Sequence, residues 1–301
     1  MSDERFAADW LTLREPADHQ ARSTSLARAA LDALDRAAGT EGTDPVVVDL
    51  GAGTGSNARW LHPLLTEAGL ESDWVLVDHD EALLGRAEEW AASAGASLTT
   101  VVGDLAREGL AQAAQADLLT ASALLDLVSR GWLEDLADGA GEAGAVVLLA
   151  LTYDGQAAWS GPARPGDQEV REAVNRHQRR DKGVGAALGP DATAVAASAF
   201  RARGFQVRTK DTPWVLDAAR TDLAEELLAG WLEAAAEVTP GGPPGGEDWA
   251  AARLDDLRAG RTVLRVGHQD LLALPPASAP GSAPDPAPGS DRPESPRESL
   301  A

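Results

Sequence analysis

Three glycines at alternate positions, Gly51, Gly53 and Gly55, follow directly on the aliphatic run Val46, Val47, Val48 and Leu50. A carboxylate, Asp49, stands two residues before the first of them. The run is rich in β-branched residues and begins after Asp44-Pro45, so it predicts a buried strand over 46–50. Residues without a Cβ allow a sharp turn and let a ligand lie against bare backbone. Helical patterning resumes over 56–68, so the first N–H groups of that helix point back at the turn. Strand, glycine turn and helix in this order suit a nucleotide-like ligand at the carboxyl end of a parallel strand.

The details separate two kinds of ligand. A dinucleotide fingerprint calls for Gly or Ala at the sixth position counted from the first glycine, where this chain has Ser56. It also calls for an acid about 20 residues on, and Asp78 comes later than that. Asp49 would repel a diphosphate but not a cationic, amine-bearing ligand.

Acids or small residues recur at the ends of later aliphatic runs: Val75-Leu76-Val77-Asp78-His79, Val101-Val102-Gly103-Asp104-Leu105 and Asp117-Leu118-Leu119-Thr120-Ala121-Ser122. With Asp49-Leu50-Gly51-Ala52-Gly53-Thr54-Gly55 these stretches, in this order, resemble the motifs of class I S-adenosylmethionine-dependent methyltransferases. The resemblance is close over 45–151 and looser beyond. It implies an α/β fold with a doubly wound, mostly parallel seven-stranded sheet and helices on both faces. It also implies S-adenosyl-L-methionine as cofactor. Asp49, Gly51, Ala52, Gly53 and Gly55 would hold the charged methionine end or order the turn. Asp78, with His79, would take the ribose hydroxyls. Gly103, Asp104 and Leu105 would lie beside the adenine, with Asp104 on its amino group. Ala121 and Ser122 would sit beneath the methionine.

The elements that must position these residues alternate strand and helix from Val46 onward, the pattern of βαβ units. Helices are predicted over 81–94 and 107–114, and strands over 117–121 and 145–151. Ahead of them, 1–44 reads as a helical cap: a short helix over 6–13, an interruption at Pro16, and a second helix over 18–38 with Leu26, Ala30, Leu34 and Ala37 in an apolar stripe. Arg14 and Arg22 could close the cofactor site, or the cap could simply cover a sheet edge. Helices over 193–203, 221–237 and 249–259 and strands over 205–209 and 263–274 complete the 45–274 domain, with 212–216 extended. From Pro275 the chain is Pro, Ala, Ser and charge, a composition that predicts a disordered tail over 275–301.

Three residues are candidates for taking a proton from the methyl acceptor. Asp126 follows strand four and could be a general base or substrate anchor, though a solvated acid at a helix start is the more ordinary reading. Tyr153, the one tyrosine in the chain, falls at the carboxyl end of strand five. His177 lies in the segment 155–190, which is too long for a plain connection and reads as a lid or substrate insertion carrying a helix over 168–180. In that segment Asn175 and Gln178 could give hydrogen bonds to an acceptor; the polar cluster around them could also be a solvated face. Trp214 could line the pocket, though such residues more often belong to the core, as Trp231 also could.

Composition narrows the acceptor. The 301 residues carry a formal charge of −22, which argues against nonspecific binding to nucleic acid. There is no cysteine, so thiolate nucleophiles, thiolate metal sites and the cytosine-C5 type of transfer are excluded. The segment 122–128 lacks the Asn/Asp/Ser-Pro-Pro-aromatic loop that methyltransferases acting on DNA-base amines carry, so a nucleobase amine is not expected. No cluster has metal-ligand spacing, and no run approaches the roughly 20 apolar residues of a membrane helix. The amino end resembles no signal peptide, which gives a cytoplasmic protein as the expectation. The expected activity is in-line methyl transfer to an O or N nucleophile of a small molecule. The alternatives are a non-catalytic cofactor-binding protein, an NAD-dependent oxidoreductase, or a protein-modifying methyltransferase.

Overall fold

The computed structural model describes residues 2–38, 44–183, 185–242 and 245–276. All but the first two residues of the expected 275–301 tail lie outside the described residues. Two helices open the chain, α1 (Ser2–Ala21) and α2 (Thr24–Ala38). The core then alternates β1 (Val46–Leu50), α3 (Ser56–Glu67), β2 (Asp73–Asp78), α4 (Glu81–Ala94) and β3 (Ser97–Val102). It continues with the one-turn α5 (Leu110–Ala113), β4 (Leu118–Ser122), α6 (Arg130–Ala143) and the long β5 (Val146–Trp159). The remainder is α7 (Asp167–Gln178), α8 (Ala192–Ala202), β6 (Gln206–Asp211), β7 (Trp214–Leu216), α9 (Thr221–Val238), α10 (Gly246–Arg258) and β8 (Leu264–Leu274).

The strands form one sheet in the order β3-β2-β1-β4-β5-β8-β6. The first five run parallel, and β8 is antiparallel to β5 and β6. Among the described residues there are eight strands rather than the expected seven. The eleven residues of β8 outreach β6, so its first turn of chain is left to pair with the short β7, Trp214 opposite Val266 and Leu216 opposite Leu264. Chain order reverses between β1 and β4, so the connections after these strands part and leave a crevice at their carboxyl ends.

Two apolar layers sandwich the sheet. Leu26, Ala27, Ala30, Leu31 and Leu34 of α2 pack with Leu61, Leu65 and Leu84 on one face. Leu133, Leu136, Ala196 and Phe200 of α6 and α8 pack on the other. Ala37, expected in the α2 stripe, is exposed. A third core lies beyond the sheet's carboxyl edge, where α7, α9 and α10 bury Val174, Leu228, Trp231 and Leu254 with Tyr153, Trp214 and Val266.

Pro16 does not end a helix. α1 runs through it to Ala21, and the break falls at Arg22-Ser23. A proline inside a helix costs about 3 kcal/mol. Tertiary contacts on either side of Pro16 hold the helix through it: Glu15 pairs with Arg59 at 2.5 Å and Asp18 accepts from the Trp214 indole at 2.9 Å. The break is made instead by Ser23, whose Oγ caps α2 at Leu26 N and whose N–H donates to buried Asp270. The residues expected to start the 155–190 insertion, Gly155 to Trp159, continue β5 along β8. Two register shifts, at 149–152 and 153–157, let the strand bend to follow.

Candidate active site

The glycine turn fills the crevice between β1 and β4. All three glycines have positive φ: +65° at Gly51, +53° at Gly53 and +78° at Gly55. A Cβ at Gly55 would come within 2.8 Å of the Ala87 methyl on α4, so bare backbone here is a packing requirement as well as a conformational one. Asp78, at the tip of β2, fixes the turn. Its Oδ2 accepts the Gly53 N–H at 2.8 Å, and its Oδ1 accepts the Asp80 N–H at 3.0 Å and lies 3.0 Å from His79 Nδ1. Asp80 in turn caps α4 at Ala82 and Leu83.

A cavity lies over this turn, lined by Gly51, Ala52, Gly53, Asp78 and His79 on one side and by Ser122 and Ala123 on the other. Leu11, Arg14 and Asp18 of α1 roof it. The cap is tied down by the Glu15–Arg59 pair, by Arg59 to the Thr54 carbonyl at 2.5 Å, and by His19 at 3.0 Å from the Ser56 carbonyl oxygen. Asp49 does not line the cavity. It is wholly buried under the turn, where the Asn57 amide donates to its Oδ1 at 2.5 Å and Oδ2 has no hydrogen-bond partner. Burial raises its pKa to about 7, against the pull of Asn57 and Arg22. Arg22 lies below the cavity too, donating to Asn57 Oδ1 and stacking on Trp60.

The third acid stands apart from this lining. Asp104 is exposed and caps the turn after β3, accepting from Arg107 N at 2.8 Å. Gly103 is covered by the Glu108 side chain, and the Leu105 carbonyl accepts from the Trp132 indole at 2.8 Å. Ala121, on β4, is buried just before Ser122 and does not line the cavity, nor does Gly55.

A second chamber of about 230 Å³ adjoins the first and shares Arg14 and Ala123 with it. Trp10, Trp214 and Trp231 wall it, with Leu127, Leu151, Val174 and Val266. Its polar groups are Arg14, Asp126, Tyr153, Gln178 and His268. Asp126 is 6% exposed, and burial lifts its pKa to about 6. Tyr153 is held as the neutral phenol by burial, and its hydroxyl donates to Asn175 Oδ1 at 2.9 Å. Asn175 uses its amide on the Gly155 carbonyl and so props the tyrosine from outside the lining. His177 also lies outside it: its Nε2 is 3.3 Å from Glu237 on α9, with Lys182 beside the ring.

Two backbone positions shape the junction. Ala123 and Leu151 have φ of +53° and +54°, a region that L-residues with a side chain rarely enter. Leu151 is held there by Asp270, whose Oδ1 accepts both its N–H and the Thr212 hydroxyl. Sequence reasoning missed His268, Trp10 and Leu11. His268 had a signal: Leu264, Val266, His268 and Asp270 alternate on one face of a strand whose other residues there include Arg265 and Gln269, so two polar groups fall on the apolar face. Burial, with Arg14 acting in the same direction, lowers the His268 pKa to about 3, so the imidazole is neutral. Its Nδ1 is buried without a hydrogen-bond partner.

A doubly wound sheet with a bare glycine turn at its crossover point, and an acid binding that turn, makes a Rossmann-like site suited to a nucleotide-like ligand. Residues 47–142 match the methyltransferase domain family. Over these residues the chain carries a methyltransferase domain on a Rossmann-like sheet. The matched stretch runs from β1 to α6 and stops before β5, α7, β7, α9 and β8, which supply most of the second chamber's lining.

Solved structures with related architecture include an S-adenosylmethionine-dependent methyltransferase from Geobacter sulfurreducens in complex with S-adenosyl-L-homocysteine. It is 16% identical over 89% of this chain and 98% of its own, with a TM-score of 0.42. The YcgJ protein from Bacillus subtilis is 15% identical over 83% and 100%, with a TM-score of 0.43. An O-methyltransferase family protein from Burkholderia thailandensis is 13% identical over 62% and 54%, with a TM-score of 0.39. No curated protein sequence matches the chain.

Proposed function

We propose that the protein transfers the methyl group of S-adenosylmethionine to an O or N nucleophile of a small molecule seated in the indole-walled chamber. The observation that carries this reading is the junction of the two cavities. Arg14 and Ala123 line both, so a ligand over the glycine turn and an acceptor among the tryptophans would meet at these two residues. S-adenosylmethionine supplies a methyl group already activated by its sulfonium. The chain's part is alignment and exclusion of solvent, and alignment alone is worth roughly 7–11 kcal/mol for well-oriented reactants.

In this reading Gly51, Ala52 and Gly53 present backbone to the cofactor, and Asp78 accepts from its ribose hydroxyls. Ser122 and Ala123 lie under the methionine, and Asp104 and Leu105 approach the adenine from the rim. Asp49 acts through Asn57 by holding the start of α3 against β1. The α1 segment of the 1–44 cap closes the cofactor side, and α7 of the 155–190 insertion closes the acceptor side. Asp126 is the favoured proton acceptor, since it alone among the three candidates combines a place in the chamber lining with a carboxylate near its titration point. Gln178 and Trp214 contact the acceptor. Two measurements test the function. Calorimetry should detect S-adenosylhomocysteine binding, and a panel of small hydroxyl and amine compounds should yield S-adenosylhomocysteine as a product of turnover. Binding without transfer to any of them would reject the small-molecule acceptor.

A further inference from the structure

We propose that the acceptor is a single-ring phenol, that Asp126 takes its proton, and that His268 positions its oxygen. The inference rests on the methyltransferase reading above and concerns the class of molecule the chamber admits. Size is the first argument. A dry cavity of about 150 Å³ accommodates benzene, so the chamber's volume of about 230 Å³ suits one ring with a few substituents rather than a fused polycycle.

The walls are the second. Trp10 and Trp214 meet at 62° with centroids 6.4 Å apart, Trp214 and His268 are 4.9 Å apart, and Tyr153 and His268 are 6.2 Å apart at 63°. Tilted faces at these spacings receive a flat ring edge-to-face or offset.

Charge is the third. Arg14 from α1 lies 5.1 Å from the centre of the Trp214 ring, and the charge of Lys182, after α7, also acts on Asp126. The cofactor's sulfonium would be next door. Burial and Arg14, which keep His268 neutral, disfavour a further cation along that wall despite Asp126, so an uncharged acceptor that donates a hydrogen bond to the carboxylate is favoured.

A neutral ring needs a polar handle that the chamber can satisfy. Asp126 is nine-tenths buried and, with the His268 ring, lines this one space. A phenol brings a single O–H to donate to the carboxylate. In the transfer, the phenolic oxygen forms its bond to the methyl carbon as the carbon–sulfur bond breaks. That electron pair goes to sulfur, leaving the neutral thioether, and the phenolic proton goes to Asp126, which releases it to water after the product ether leaves. Asp126 must be ionised to act, so the rate should climb as pH rises through about 6. The groups acting on Asp126 are Arg14 on α1, the Tyr153 backbone on β5 and the charge of Lys182 after α7, and His268 on β8 shares its chamber.

The test uses the full chain with substituted monocyclic phenols, the matched aromatic amines and aliphatic ammonium compounds. Readouts are S-adenosylhomocysteine release and calorimetry of each compound with S-adenosylhomocysteine present. Phenols should bind and turn over, and ammonium compounds should do neither. Asp126→Asn should lower kcat about 100-fold and abolish the limb near pH 6. His268→Leu should raise KM for the phenol about tenfold, and His268→Asn should recover part of that. All three variants should keep the parent affinity for S-adenosylhomocysteine, which also shows that they are folded. Three results would each overturn the proposal: no phenol binding alongside intact S-adenosylhomocysteine binding, a preference for either class of amine, or an Asp126→Asn enzyme with parental kcat and pH profile. Failure of the parent protein to bind S-adenosylhomocysteine would instead remove the reading beneath it.

Discussion

Asp78→Ala should cost both fold stability and affinity for S-adenosylhomocysteine, by amounts that follow from what the two carboxylate oxygens touch. The Gly53 N–H is buried and has Asp78 Oδ2 as its acceptor at 2.8 Å. Leaving such a donor unpaired costs about 1–3 kcal/mol. The Asp80 N–H, at 3.0 Å from Oδ1, is less enclosed and is worth about 1 kcal/mol. Roughly 2–4 kcal/mol of unfolding free energy should therefore disappear in urea titrations. In the proposed site the same carboxylate also accepts from the ribose, a charge-assisted bond worth about 1.5–3 kcal/mol, so the dissociation constant should rise about 10–150-fold. Asp78→Asn separates the two effects. Its amide oxygen can keep the Gly53 bond, so stability should fall by less than about 1 kcal/mol, whereas affinity still drops about tenfold because the charge is gone. The comparison is made by isothermal calorimetry at a temperature where both variants are folded. An Asp78→Ala protein that binds S-adenosylhomocysteine within twofold of the parent would refute the ribose assignment. One as stable as the parent would refute the account of the turn.

Gly55→Ala should destabilise by roughly 2–4 kcal/mol, since it adds the left-handed penalty to an overpacking cost against Ala87 at 2.8 Å. Gly95→Ala, at φ +71° with nothing within 4 Å, should cost only about 1–2 kcal/mol, and equal losses in urea titrations would deny the steric contribution. Asp167→Ala should destabilise by about 3–5 kcal/mol, because it strands the Arg253 guanidinium, which is 1% exposed and rests on the Trp159 ring; a Cm shift below what 1 kcal/mol produces would contradict this. Asp49 titrates near 7 in the folded chain and near 3.8 when unfolded. The folded form thus holds a proton that the unfolded form has released, so this residue's contribution to stability falls as pH rises from about 4 to 7 and is flat above. Asp49→Asn should remove that slope, read as the difference between variant and parent in Cm at pH 5 and pH 8.

Much of the cofactor side could be read from one dimension because its signals are local. β1 and its aliphatic run, the turn with glycines at alternate positions, and α4 over Glu81–Ala94 with its Asp80 cap are each specified by residues within a few positions of one another. The parallel sheet follows from their alternation. Where distant contacts outweighed local preference, the sequence misled. Pro16 sits inside α1 because Glu15 and Asp18 are anchored to residues far along the chain. β5 continues to Trp159 because β8 runs alongside it.

The chamber belongs wholly to the second category. Its lining comes from α1, the segment after β4, β5, α7, β7, α9 and β8, and the positive φ at Leu151 is held by Asp270, 119 positions away in sequence. Composition and short-range pattern by themselves determined the kind of sheet and the place of its glycine turn, whereas the acid that ties the turn proved to be Asp78 rather than Asp49. Which acid is buried, which histidine is neutral, and that three tryptophans close around one space with Asp126 were decided only in three dimensions. Desolvation and side-chain proximity are properties of packed surroundings, and no stretch of chain carries its surroundings with it.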